Sequence, residues 1–329
     1  MHVQAERRAA EAGARRVGQE GRVHLLPVCR APAVTGHDAQ VDDAQVLHVT
    51  VERGVATLTL DSPADRNALS RAMRARLRTA LDDALADDAV RVVVLDHTGR
   101  VFCSGMDLRE AAGGSSEDQG VREFPELLQA IWSSPKPVLA VVRGAARAGG
   151  VGLLAACDVV VAGASATFGF AEVRLGLVPA VISAVVLPRM TRNTAHRLLL
   201  TGEVFDASLA AASGLVDLAV ADDEVDAAVA AQVAALAAGA PSALAETKAL
   251  LRGHAALEFD ALMELSARRF AGAEGQEGIA AFREKRPARW VPQGCSPSRR
   301  LVLCTPLCAE HEPPGTLSAG GGWRQAVAG

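Results

Sequence analysis

The chain has 329 residues, half of them hydrophobic, with 34 Lys and Arg against 38 Asp and Glu. That length and apolar share suit one large domain or two smaller ones with a sizeable core. A net charge of −4 gives no general attraction to nucleic acid, and no apolar run reaches the ~18 residues of a membrane span.

In chain order, residues 1–45 show little periodicity and read as a disordered extension. The N-terminus lacks the apolar stretch of a secretory signal, and Glu6, Glu11 and Glu20 are out of place in an organelle transit peptide. A cytoplasmic protein is therefore expected. Structure starts at Val46: VLHVTVERGVATLTL reads as two strands around Arg53-Gly54. Turn residues follow in DSPADRNALS, and Ser70 can cap a helix with Met73, Leu77, Leu81 and Leu85 on one face. VVVLD (92–96) is a buried strand. A helix carrying Phe124, Leu127, Leu128, Ile131 and Trp132 leads to the strand PVLAVV. After a glycine-rich helix start come VVVA (159–162) and ATFGF (166–170). From about residue 190 the pattern turns helical, with Gly214 and Pro241 as breaks, and from 292 a disordered tail is expected. The boundaries are thus 1–45, a strand-rich α/β body at 46–190, a helical region at 191–291, and a tail at 292–329.

The six cysteines split into two groups, in the core-like segments and in the tails. Cys103 and Cys157 sit in core-like segments. Cys295, Cys304 and Cys308 lie near His311 at spacings that match no standard zinc knuckle, so no metal is expected.

Two loops carry candidate chemistry. GRVFCSGMDL (99–108) follows one buried strand, and GAARAGGVGLL (144–154) follows the next. Each can turn a backbone N–H into a shared crevice, the arrangement of an oxyanion hole. A glycine-led helix start adds a positive dipole end to the second.

In this order, DSPADRNALS, VFCSGMDL, KPVLAVVRGAARAGGVGLLAACD and FGFAEVRLGLVPA resemble the enoyl-CoA hydratase/isomerase (crotonase) superfamily over roughly Val46 to Val291. The wording EVRLGLVPAVIS with GLLAACD is similar to bacterial members of the methylglutaconyl-CoA hydratase type. The resemblance implies a spiral of ββα units, a helical C-terminal trimerisation region, and a homotrimer or hexamer. It also implies an acyl-CoA substrate and no cofactor, coenzyme A being part of the substrate. On the family's pattern the oxyanion donors fall on the amides of Met106 and Gly149, and the acid/base on Glu172. Ser104, Gly105, Leu108, Gly150, Gly152 and Phe170 are the expected substrate-binding positions. Acyl pocket shape is expected to depend on Met106, Phe170, Val181, Ile182 and the 110–125 segment.

Two departures stand out. A hydratase of this family commonly uses two glutamates, and the first falls on Gly152, which has no side chain. The glycine triplet also opens with Ala148. The leading expectation is a hydratase with one glutamate. The alternatives are an enoyl-CoA isomerase, in which one carboxylate moves a proton between two carbons, and an acyl-CoA-binding protein with little catalysis. Glu110, Glu123 or Glu126 could stand in for the missing glutamate. Asp158 reads as structural, and Asp107 as a loop-fixing residue. His97 and His196 have no evident partner. Arg71, Arg74, Arg76 and Arg78 read as a solvated face of a helix rather than a nucleic-acid site.

Overall fold

The computed structural model describes residues 46–111 and 122–253, and 263–292 apart from 264, 265, 267 and 270. The expected extension (1–45), the tail from 293 with its cysteines, and the glycine-serine stretch 113–116 lie outside the described residues.

Strands β1 (Leu47–Glu52) and β2 (Val55–Leu60) form an antiparallel hairpin. Its two turn residues, Arg53 and Gly54, have φ of 49° and 78°, the positive-φ pair whose twist matches the flanking strands. Helix α1 (Arg71–Ala86) begins where the Ser70 hydroxyl accepts the Met73 amide at 3.2 Å. Met73, Leu77 and Leu81 are fully buried beneath it, each contributing about 1.5–3 kcal/mol by leaving water.

The next elements repeat one unit three times. β3 (Val92–His97) turns into β4 (Val101–Cys103), followed by helices α2 (Leu108–Ala111) and α3 (Glu123–Ser133). β5 (Val138–Val142) turns into β6 (Ala145–Arg147), followed by α4 (Gly149–Ala156). β7 (Val159–Gly163) turns into β8 (Thr167–Gly169), followed by a 3-10 turn (Glu172–Leu175) and α5 (Ala180–Val186). The first strands of each unit stack in parallel into a six-stranded sheet, β1-β2-β3-β5-β7-β10, with only β1 antiparallel. The second strands build a four-stranded sheet, β4-β6-β8-β9. The corners are tight: a Cβ on Gly144 would lie 2.7 Å from the carbonyl carbon of Arg100.

The chain beyond 191 is not helical throughout. Between α6 (Arg192–Thr201), α7 (Ala207–Ser213) and α8 (Val225–Ala238) it gives β9 (Val204–Asp206) to the small sheet and β10 (Leu218–Val220) to the large one. These three-residue strands are too short to show a period of two. Helices α9 (Pro241–Arg252) and α10 (Ala273–Glu284) follow.

The central strands of the large sheet, β3, β5 and β7, are buried on both faces. Val93 and Leu95 point into the main core, while Val92, Val94, Leu139, Val141 and Val161 pack with Val225, Val233 and Ala237. This double burial explains the unbroken apolar runs. Asp158, at the end of α4, is structural. It accepts the Val138 amide at 2.8 Å and holds Lys248 at 2.6 Å and Arg252 at 2.5 Å, tying α9 to β5. The Arg252 guanidinium also stacks 4.5 Å from the Trp132 ring.

Candidate active site

The site forms where the strands of the small sheet end. After β4 the chain enters Ser104–Asp107. The Gly105 amide donates to Cys103 Sγ at 3.4 Å and the Gly105 carbonyl accepts the Leu69 amide at 2.8 Å. Gly105 has φ of 90°, a conformation glycine adopts without penalty. The loop before α1 is pinned by fully buried Asn67. Its Oδ1 accepts the Ser62 amide at 2.7 Å, and its Nδ2 donates to the carbonyls of Thr98 at 3.1 Å and Val101 at 2.8 Å. Asp107 fixes its own loop by accepting the Arg109 amide at 2.9 Å.

After β6 the Ala148 amide donates to the Gly169 carbonyl at 2.9 Å. The Ala148 carbonyl accepts the amides of Val151 at 2.9 Å and Gly152 at 3.2 Å, which starts α4. Gly150 lets that helix settle on β4, since a Cβ there would come within 2.8 Å of Cys103 Cβ. The amides of Met106 and Gly149 are left with no hydrogen-bond partner among the described residues. The two loops touch: a Cβ on Gly105 would lie 3.3 Å from the Gly149 nitrogen.

Glu172 opens the turn after β8 and is half-buried. Its Oε2 is buried without a hydrogen-bond partner. Burial pushes its carboxyl above the ordinary glutamate range, opposed in part by a hydrogen bond from its own amide. A carboxylate raised by desolvation and lacking an ion-pair partner suits proton transfer near neutral pH.

Ser104, Met106, Leu108, Ala148, Gly149 and Glu172 line one cavity of about 330 Å³. Its remaining wall is largely apolar, from Phe124, Pro125, Leu175, Leu177, Val178, Pro179, Val181 and Ile182. Among the described residues, Glu172 is the one carboxylate on that wall. Arg147 also borders it, but its guanidinium donates to the carbonyls of Ala146 at 2.9 Å and Thr167 at 2.7 Å.

Gly105, Gly150, Gly152 and Phe170, expected to bind substrate, are not on this wall. Gly105 and Gly150 act behind it, through loop and helix placement. Phe170 is buried in the core with its ring 5.8 Å from that of Phe205. Gly152 is sealed off by Ile182, whose Cγ2 would be 2.5 Å from a Cβ at that position. Val181 and Ile182 line the cavity, and Phe170 does not.

Two of the three glutamates considered as stand-ins are engaged elsewhere. Glu110 accepts the Arg71 amide at 2.8 Å, and Glu123 pairs with Arg74 at 2.9 Å. Glu126 belongs to a separate surface depression with Arg78 and Gln129. Arg74 departs from the expected solvated face: it is buried and donates to the Leu69 carbonyl at 2.6 Å. Arg78 does pair with Asp82 at 2.8 Å. His97 has partners that its sequence context hides. Its Nε2 accepts the Arg143 amide at 3.0 Å, so Nδ1 carries the proton and donates to the Thr98 carbonyl at 3.2 Å.

Residues 50–293 match the family described as enoyl-CoA hydratase/isomerase. A Rhodobacter capsulatus protein named "Probable enoyl-CoA hydratase" is 40% identical over 249 residues, covering 73% of this chain and 96% of that protein. The mouse mitochondrial methylglutaconyl-CoA hydratase is 30% identical over 309 residues, covering 86% and 98%. Among solved structures, Pseudomonas aeruginosa AtuE superposes with a TM-score of 0.70 at 37% identity, covering 75% of this chain and 100% of its own.

Proposed function

Because the chain belongs to the enoyl-CoA hydratase/isomerase family, we propose that it transforms an enoyl-CoA thioester with Glu172 as its one proton carrier. The amides of Met106 and Gly149 take the thioester oxygen. As a proton leaves the adjacent carbon, charge gathers on that oxygen, and fixed donors stabilise it most when the charge is greatest. Glu172 Oε2, buried and unpartnered, receives the proton and returns it. Ser104 and Leu108 line the same cavity and are the residues that would meet the coenzyme A arm.

The observation that carries this reading is the pairing of one unpartnered carboxylate oxygen with a largely apolar wall on which no second carboxylate stands among the described residues. It favours double-bond migration. The proton moves from the carbon beside the thioester to the far end of the enolate, and no water is consumed. Ile182 fills the room a second acid/base at position 152 would need. Hydration, the leading expectation from sequence, is the second reading. It is favoured by the likeness to proteins named as hydratases.

Two assays on one sample separate them. Conjugated thioester absorbance is followed for its gain from a 3-enoyl-CoA and for its loss from crotonyl-CoA or 3-methylglutaconyl-CoA. Gain without loss supports migration, and loss supports hydration. Silence in both, with acyl-CoA still bound, would refute the catalytic proposal and leave a binding protein.

We further propose that the chain works as a homotrimer or hexamer. Leu175, Leu177 and Val178, which line the cavity, stand 55%, 52% and 79% exposed, a contiguous apolar cluster of the kind that marks an interaction site. Light scattering that gave a monomer would refute this.

A further inference from the structure

Ala148 is strained. Its φ is 46° and its ψ is −117°, a region that a residue with a Cβ occupies only when its surroundings force it there. Among the described residues, four other non-glycine residues have positive φ, namely Arg53, Arg66, Asn67 and Lys285. None of those four borders the cavity, and Ala148 does.

The surroundings that hold Ala148 are specific. Its amide is fixed to the Gly169 carbonyl, and its carbonyl takes the first amides of α4. Its Cβ rests against the opposite loop, 3.1 Å from where a Cβ on Gly105 would stand. Gly105, itself at φ of 90°, immediately precedes the Met106 amide, just as Ala148 precedes that of Gly149. The methyl therefore lies beside Gly105, where the loop that carries one proposed donor meets the loop that carries the other. Its contact with Gly105 limits how closely the loops approach and how each peptide plane can rock.

We infer that the Ala148 methyl is a strut that sets the spacing of the two donor amides, making Ala148 a positioning residue. The backbone strain is retained because a glycine here would relax the turn and free the Gly149 amide. This inference rests on the donor roles proposed above. It adds that their geometry depends on one side-chain carbon.

The test compares the full chain with A148G and A148S, serine retaining a Cβ. Carbon-13 NMR of bound butyryl-CoA labelled at the thioester carbonyl reads the donor pair without turnover. Melting temperature, kcat and KM are measured alongside. For A148G, the strut predicts a smaller downfield carbonyl shift and a kcat lower by about tenfold, with KM within about twofold. One lost donor would cost more, about 10²–10³. It also predicts a melting temperature higher by about 2–4 °C as strain is relieved. A148S should keep the carbonyl shift and kcat of the parent. An A148G variant with unchanged carbonyl shift and kcat overturns the strut. If A148S loses both as well while staying folded, the Cβ is not what matters and the strut is again overturned. If the parent itself leaves the carbonyl shift where free butyryl-CoA has it, the donor proposal has failed, and the strut falls with it.

Discussion

Replacing Glu172 with Gln keeps the shape of the side chain and removes its ability to accept a proton. General acid–base groups contribute about 10²–10⁴ in rate, which is about 2.7–5.4 kcal/mol of barrier at 1.36 kcal/mol per decade. Turnover should fall by that factor while acyl-CoA binding stays nearly unchanged. Stability should move the other way. Burial raises the Glu172 carboxyl above its free value of 4.5. Between that value and the higher folded one, the unfolded chain loses its proton first. Stability is therefore lost as pH rises through this window, and the deficit persists above it. Gln removes the deficit. The melting temperature of E172Q should match the parent at pH 4 and equal or exceed it at pH 7. In the pH–rate profile, the acidic limb should lie above 4.5 and vanish in E172Q. Unchanged turnover, or a melting temperature that falls at pH 7 as for a lost ion pair, would refute this account of Glu172.

Three further outcomes follow from the packing. Gly152→Ala places a methyl against Ile182 and should destabilise the fold by about 1–3 kcal/mol in urea unfolding. Adding Ile182→Ala should make the pair less destabilised than the sum of the singles by about 1 kcal/mol; strict additivity would mean the two positions do not meet. Asp158→Ala removes the carboxylate that faces buried Lys248 and should cost about 3–5 kcal/mol, against less than 1 kcal/mol if the cluster is solvated. Burial lowers the pKa of His97 below 6.5, so the unfolded chain binds the proton first as pH falls. Melting temperature should drop as pH is lowered below that value, and His97→Gln should lose this part of the acid sensitivity. An identical pH dependence in the variant would contradict the assignment.

The sequence made β3, β5 and β7 of the large sheet legible because they are buried on both faces and read as apolar runs, and β1 and β2 legible as strands around the Arg53-Gly54 turn. It made α1 and α3 legible through their 3.6-residue periodicity. Most of the small sheet was hidden: β8 reads as a strand, but β4 and β6 lie inside segments that read as loops, and β9, like β10 of the large sheet, lies inside a segment that reads as helical. Three residues are too few for alternation to show. Met106, Gly149 and Glu172, singled out by motif order through the family resemblance, line one cavity. What could not be seen comes from contacts between distant segments. Arg74 looks like one more surface arginine until α3 brings Glu123 to it, 49 residues away. Gly152 looks like open space until α5 fills it with Ile182. Ala148 shows in the sequence as a departure from the glycine triplet, but its strain does not, because strain is a property of dihedral angles, not of residue type.

The measurement closest to the central claim is hydrogen exchange at the carbon beside the thioester. A 3-enoyl-CoA is incubated with the protein in D₂O and followed by proton NMR. Deuterium should enter at that carbon with the parent chain and not with E172Q. Equal exchange in both proteins, or none in either while the thioester is bound, would contradict Glu172 as the proton carrier.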